Sequence, residues 1–216
     1  MKNNLRHYSP FDQLCMTLDN AMRAIANTAK TTERAYPGAV LPETNLSEDE
    51  RLHAASLMRV NHAGEVSAQA LYHGQALVSR SPSLKNKMHN AALEEGDHLH
   101  WCHQRIVELG SHTSYLNPFW YTGSFVIGVT AGIFGDRISL GFLAETENQV
   151  VQHLQNHLQK LPEKDVKSYA ILQQMQIDEA HHRDDAQDAG AATLHPVIKK
   201  IMGFTSKIMV KMAYWV

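Results

Sequence analysis

Cysteine is scarce in this chain: among 216 residues only Cys15 and Cys102 occur, and there is no Cys-x-x-Cys. That excludes a disulfide framework and a thiolate metal site, and it fits a reducing compartment. A positive charge excess is also missing. The formal net charge is -2, so no nucleic acid partner is expected. The N-terminus "MKNNLRHYSPFDQL" lacks the apolar stretch of a secretory signal. No run alternates polar and apolar residues with period two, which leaves β-structure without a signal. No Gly-x-Gly-x-x-Gly follows a strand, so no dinucleotide fold is expected within the chain. What is plentiful is histidine, 14 in all, the commonest protein metal ligand.

Helical periodicity covers nearly every long segment. A short helix is expected from Ser9 to about Ala29, before the Pro/Gly-containing loop "YPGAVLPETNL". "SEDE" (Ser47 to Glu50) is a capping box opening a long helix that runs to about Ser79. "SPS" breaks that helix, and Pro82 begins the next, which reaches about Leu109. A connector leads into the Gly-rich apolar run "FWYTGSFVIGVTAGIFG", Phe119 to Gly135. The next long helix spans roughly Arg137 to Lys160; "LPEKD" then turns the chain, with Pro162 near the start of a helix ending at Gly190. His195 to Val216 reads as a last, basic helix. Four long helices, with a short turn inside each pair and a long crossover between the pairs, describe an all-α, ferritin-like four-helix bundle. The expected division is residues 1–46 as a helical segment and loop, 47–194 as the bundle, and 195–216 as a basic amphipathic helix.

A Glu-x-x-His pair places both side chains on one helix face. The chain holds three such pairs: Glu50/His53, Glu95/His98 and Glu179/His182. Helical phase separates them. Glu95 shares its face with Leu84, Met88, Leu99, Cys102 and Ile106, and Glu179 shares one with Leu172, Met175 and Ala186. Their neighbours Glu94 and Asp178/His181 fall among polar residues and read as facing water. Two lone carboxylates are also in apolar phase, Glu147 cleanly and Glu65 less so. The spacing then repeats: Glu65 to Glu95 is 30 residues and Glu147 to Glu179 is 32. Glu50/His53 drops out, lying about 22 Å up the helix from Glu65.

Four buried glutamates without compensation would be costly. Two divalent cations balance them and leave two imidazoles as nitrogen donors. An oxygen-plus-imidazole set without thiolate suits iron or manganese. Glu plus Glu-x-x-His, twice, is the di-metal carboxylate arrangement of a bundle core. Asp178 is placed either to hold a ligand histidine through its other ring nitrogen or to sit in water. His62 and His153 lie off the ligand phase and read as ordinary surface or core histidines.

Four stretches, "RVNHAGEVSAQALYHGQ" (Arg59 to Gln75), "EEGDHLHW" (Glu94 to Trp101), "ETENQVVQHLQNHLQKLP" (Glu145 to Pro162) and "DEAHHRDDAQDAGA" (Asp178 to Ala191), resemble the demethoxyubiquinone hydroxylase family, in its bacterial branch. The likeness runs from about Leu52 to the C-terminus; the segment before about Leu46 carries little of it. The resemblance implies a non-haem di-iron monooxygenase whose metal ligands are Glu65, Glu95, His98, Glu147, Glu179 and His182. Glu95, Glu147 or Glu179 would bridge the two irons. It places His153 near the quinone and the point of electron entry. Animal members follow that histidine with Tyr where this chain has Leu154. The implied reaction is O2-dependent hydroxylation of a polyprenyl methoxy-benzoquinol ring in ubiquinone synthesis. Electrons would come from a reduced nicotinamide cofactor or a partner, and other ubiquinone-biosynthesis proteins are candidate partners. The rival readings are a ferritin-like ferroxidase or another di-metal oxidase or hydroxylase.

A polyprenyl substrate brings the membrane into question. The 17 residues from Phe119 to Gly135 are short for a span and read either as a buried crossover or as an interfacial segment. The tail "PVIKKIMGFTSKIMVKMAYWV" has four lysines, no acid and Trp215 near its end. Such a helix suits an anionic membrane surface, giving peripheral attachment at the cytoplasmic face of the cell membrane as the expected location.

Overall fold

The computed structural model describes residues 9–216; the first eight residues of the expected N-terminal segment lie outside the described residues. Seven helices and no strand occur among the described residues: α1 (Pro10–Ile25), α2 (Glu48–Val78), α3 (Pro82–Glu108), α4 (Asn117–Ile133), α5 (Asp136–Leu158), α6 (Val166–Asp188) and α7 (Pro196–Trp215). The fold is all-α, a ferritin-like bundle of α2, α3, α5 and α6 with α4 as the crossover.

Local chemistry sets the helix ends. Glu50 N donates to Ser47 Oγ (3.2 Å) while Ser47 N donates to Glu50 Oε2 (2.8 Å), satisfying two exposed amides at the start of α2. Three acidic residues in that first turn complement the helix dipole. The start of α6 differs from the sequence expectation. Pro162 lies in a turn closed by Asp165 N donating to Pro162 O (2.8 Å), and α6 begins only at Val166. Asp165 decides this: its Oδ1 accepts from Ser168 N (3.1 Å) and from Arg105 Nη2 (2.8 Å). A cap anchored on α3 outweighs the local preference of proline.

The bundle core has three layers. One apolar end gathers Met58, Trp101, Ile106, Leu154, Ile171 and Met175. The other gathers Tyr72, Met88, Leu140, Leu143 and Ala186. Along every one of the four helices, the residues between these ends include the acidic and histidine positions. The polar layer is therefore clamped by two apolar clusters, in which each fully buried large side chain contributes about 1.5–3 kcal/mol.

α4 lies along α2 rather than spanning free space. A Cβ at Gly74 would fall 2.5 Å from Phe125 O, and one at Gly128 would overlap the Leu71 backbone. Glycine at both positions lets the two backbones touch. The opposite side of α4 exposes Phe119, Val126, Ile127 and Ile133. α7 also has two faces. Ala213 and Val210 pack on Val60 and Ala63, and Arg59 Nη1 donates to Tyr214 O (3.1 Å). Lys199 Nζ pairs with Glu145 at 2.7 Å, so Glu145 is covered by α7 instead of facing water. Ile198, Ile201, Phe204, Ile208 and Trp215 stay exposed. No helix among the described residues is long and apolar enough to cross a membrane.

Candidate metal centre

The six residues of the two repeats come together in the polar layer: Glu65 from α2, Glu95 and His98 from α3, Glu147 from α5, Glu179 and His182 from α6. All six are buried. His98 Nδ1 lies 3.5 Å from Glu65 Oε2, 3.3 Å from Glu95 Oε2 and 3.1 Å from Glu179 Oε1. His182 Nδ1 lies 3.2 Å from Glu95 Oε1 and 3.2 Å from Glu179 Oε2. Glu95 and Glu179 thus turn one oxygen toward each imidazole. They are the shared carboxylates of two adjoining compartments. Glu65 belongs to the His98 side, whose four ligand atoms lie within 4.8 Å of one another. Glu147 stands beside His182 and accepts from Tyr72 Oη at 2.9 Å.

The donor set fits cations. One oxygen of each glutamate (Glu65 Oε2, Glu95 Oε1, Glu147 Oε2 and Glu179 Oε1) is buried without a well-formed hydrogen bond; the imidazole Nδ1 atoms that lie 3.1–3.5 Å from the first two and the last are directed at other carboxylate oxygens. Buried carboxylate oxygens with no partner are expensive, and four converging on one layer call for positive charge. The electrostatics agree. Burial, with the Glu95 charge behind it, holds the Glu65 carboxyl well above its ordinary range. Burial and the charges of Glu179 and Glu95 do the same to Glu147. Burial also pushes Glu95 up, but hydrogen bonds from His182 and His98 outweigh it and its pKa falls. Burial works against charge on His98, yet Asp178 and the surrounding glutamates raise it well above the usual imidazole value. The cluster draws in protons wherever it can, and two divalent cations would supply the same compensation.

The outer nitrogens of both histidines are held in a crossed pattern. His98 Nε2 meets Asp178 Oδ2 at 2.9 Å, and His182 Nε2 meets Glu94 Oε2 at 2.9 Å. In each copy, the acid just before the inward glutamate braces the histidine of the other copy. This fixes which nitrogen faces the centre, Nδ1 in both cases. Of the two places open to Asp178, the structure has the one that holds a histidine, and it corrects the expectation that Glu94 faces water: Asp178 is buried and Glu94 half-buried, while His181 is exposed. The signal was present in the sequence as an acid before each Glu-x-x-His.

A further set of contacts had no sequence signal. The arm after α1 crosses α3 at Gly96, where a Cβ would collide with Lys30 O. Thr32 N donates to Asp97 Oδ1 (3.1 Å). Arg34 Nη2 pairs with Asp178 Oδ2 at 2.8 Å, and its guanidinium lies 4.9 Å from the Trp101 ring centre. The arm therefore ties down the acid that holds His98.

A cavity of about 330 Å³, walled by α2, α4, α5 and α7, reaches Glu65, Glu147 and Glu179. Its lining is mostly apolar, with Leu71, Phe142, Val150 and Met209 among the wall residues. A second, smaller cavity of about 210 Å³ reaches Tyr72, Glu94 and His182. His153 lines the larger one, its ring 3.8 Å from that of His157, and burial lowers its pKa to about 4. His62 does not reach the centre. It is buried against Asn27, with Nε2 2.5 Å from Asn27 Oδ1, and burial lowers its pKa to about 3.

The family model described as ubiquinone biosynthesis protein COQ7 matches residues 52–213. The chain belongs to this family. Among relatives called 3-demethoxyubiquinol 3-hydroxylase, the one from Nitrosococcus oceani is 53% identical over 211 residues, covering 98% of this chain and 99% of its own. That of Legionella pneumophila strain Corby is 51% identical over 98% of this chain and 100% of its own. That of Pseudomonas fluorescens is 49% identical over 97% of each. The COQ7 family match begins at Leu52, whereas these alignments span nearly the whole chain and take in the arm that carries Thr32 and Arg34.

Proposed function

We propose that this chain hydroxylates the ring of a polyprenyl methoxy-benzoquinol, demethoxyubiquinol, in ubiquinone biosynthesis, using O2 and two irons held by Glu65, Glu95, His98, Glu147, Glu179 and His182. The observation that carries the reading is the apolar cavity ending on Glu65, Glu147 and Glu179. A ferroxidase has no need of such a cavity at its metal centre, whereas an apolar quinol does. When bound, the irons supply the chemistry of O2: one oxygen atom enters the ring and the other leaves as water, with two electrons from a reduced nicotinamide cofactor or a partner protein.

The chain's own groups do the positioning. Asp178 and Glu94 hold the outer nitrogens of His98 and His182, and Tyr72 donates to Glu147. The cavity walls keep bulk water from the reacting ring. Aligned on the quinone side by its place in the lining, His153 is the residue proposed to lie near the substrate and the entry of electrons.

Attachment to the membrane is peripheral in this reading, at the cytoplasmic face. Support comes from the exposed apolar faces of α4 and α7, the two helices that also wall the cavity, and from Lys200, Lys207 and Lys211 on α7. A quinol could then pass from the bilayer between them.

The test is anaerobic loading with ferrous ion, then addition of a reduced short-tail demethoxyubiquinol and labelled O2. The expected result is a ring hydroxyl carrying one labelled oxygen. Net oxidation of excess ferrous ion with the quinol unchanged would favour the ferroxidase instead. Failure to bind anionic vesicles at low salt would remove the membrane part alone.

A further inference from the structure

The large cavity is apolar, yet two buried donors on its lining residues have no partner: Asn61 Nδ2 and Trp120 Nε1. Asn61 is 3% exposed. Its Oδ1 is taken up by His157 Nδ1 at 3.1 Å, which pins the amide and leaves the Nδ2 hydrogens over. Three hydroxyls of the lining are already used. Ser67 Oγ donates to Ala63 O, Thr146 Oγ1 to Phe142 O and Thr205 Oγ1 to Met202 O, each back onto its own helix. Buried N–H groups without an acceptor are rare and call for an explanation.

The glycines of the lining add a second, independent observation. At Gly74 and Gly128 glycine is required because α2 and α4 touch. At Gly64 and Gly123, both on the cavity, a Cβ would meet nothing within 4 Å. No packing contact asks for glycine at these two positions. What they leave is room for a flat ring between the walls of α2 and α4.

We infer that Asn61 and Trp120 form a polar subsite that recognises the oxygen atoms of a benzoquinol ring, and that Gly64 and Gly123 keep the slot for that ring open. The ligand class is an aromatic or quinoid ring bearing phenolic, carbonyl or methoxy oxygens on an apolar tail. Two N–H donors from different helices, set against mostly apolar walls, fix the rotation of the ring and so decide which ring position faces the metal centre. This inference rests on the quinol reading above and assigns the residues that orient the substrate.

The test compares two probes on the full-length, metal-loaded chain: a short-tail methoxy-benzoquinone, and an alkylbenzene with the same tail but no ring oxygens. Native protein should bind the quinone more tightly. Trp120→Phe and Asn61→Leu should each weaken quinone binding by about fivefold to tenfold, the loss of one neutral hydrogen bond, and leave the alkylbenzene unchanged. Gly123→Leu should exclude both probes. Helix content and metal content equal to native establish that each variant is folded. Native protein that binds both probes equally, or Trp120 and Asn61 variants that bind quinone like native, would overturn the subsite while hydroxylation of the quinol still stood. Native protein that neither binds the quinone nor hydroxylates the quinol would overturn both.

Discussion

The crossed bracing of the two histidines predicts unequal roles for two acids that look equivalent in sequence. Consider Asp178→Ala and Glu94→Ala. Removing the partner of a ligand histidine costs about tenfold to hundredfold in metal affinity, or about 1.4–2.8 kcal/mol. The structure decides where each falls. His98 is wholly buried, and Asp178 is only 10% exposed in its side chain. No water can replace that carboxylate readily, and Arg34 also loses its partner. Asp178→Ala should therefore lie near the hundredfold end. Glu94 is 41% exposed, so solvent already screens its bond to His182 and can take its place. Glu94→Ala should lie near tenfold. The assay is competition with a chelator of known affinity, under anaerobic conditions with ferrous ion or with manganese, alongside circular dichroism to establish folding. Equal losses in the two variants, or a greater loss for Glu94→Ala, would refute the argument that burial sets the strength of each brace.

Three further outcomes are expected. Glu147→Ala should abolish hydroxylation while the fold largely survives, because it removes a buried carboxyl whose own desolvation is unfavourable; near-normal turnover would take Glu147 out of the ligand set. Arg34→Ala should weaken metal retention less than Asp178→Ala and in the same direction, measured by metal content after dialysis, since Arg34 touches no histidine of the centre and supports His98 through that carboxylate. The third outcome concerns pH. Burial lowers the His62 pKa to about 3, so the unfolded chain takes up a proton that the folded chain refuses as pH falls below about 6.5. Stability present above that pH is lost on the way down to about 3, with about 2 kcal/mol gone by pH 5. His62→Gln should flatten this part of the curve in urea unfolding at pH 7 and pH 5; an unchanged pH dependence would show that His62 does not contribute.

How much of this was legible beforehand depended on how local the physics is. Helix phase is local. The 3.6-residue period alone separated Glu65, Glu95, Glu147 and Glu179 from their neighbours, and the repeat of 30 and 32 residues related the two halves. Phase says nothing about the groove between two helices. Glu94 and Asp178 stand just off the inward face, where phase places Glu94 in water and leaves Asp178 undecided, yet each meets a histidine brought by the other helix. The start of α6 failed for the same reason, since Arg105 on α3 anchors the capping Asp165.

By itself, then, the amino-acid order determined the all-α pattern, the long crossover and the repeat that carries a Glu-x-x-His in each half. These follow from backbone periodicity, capping and turn chemistry, which act within a few residues. Only the tertiary structure decided that Glu95 and Glu179 are the shared carboxylates, that the acid of each copy braces the histidine of the other, and that the arm through Arg34 locks one of these acids. Those are distances between side chains far apart in the chain. They are set by how two apolar clusters press four helices together around a layer that neither cluster can fill.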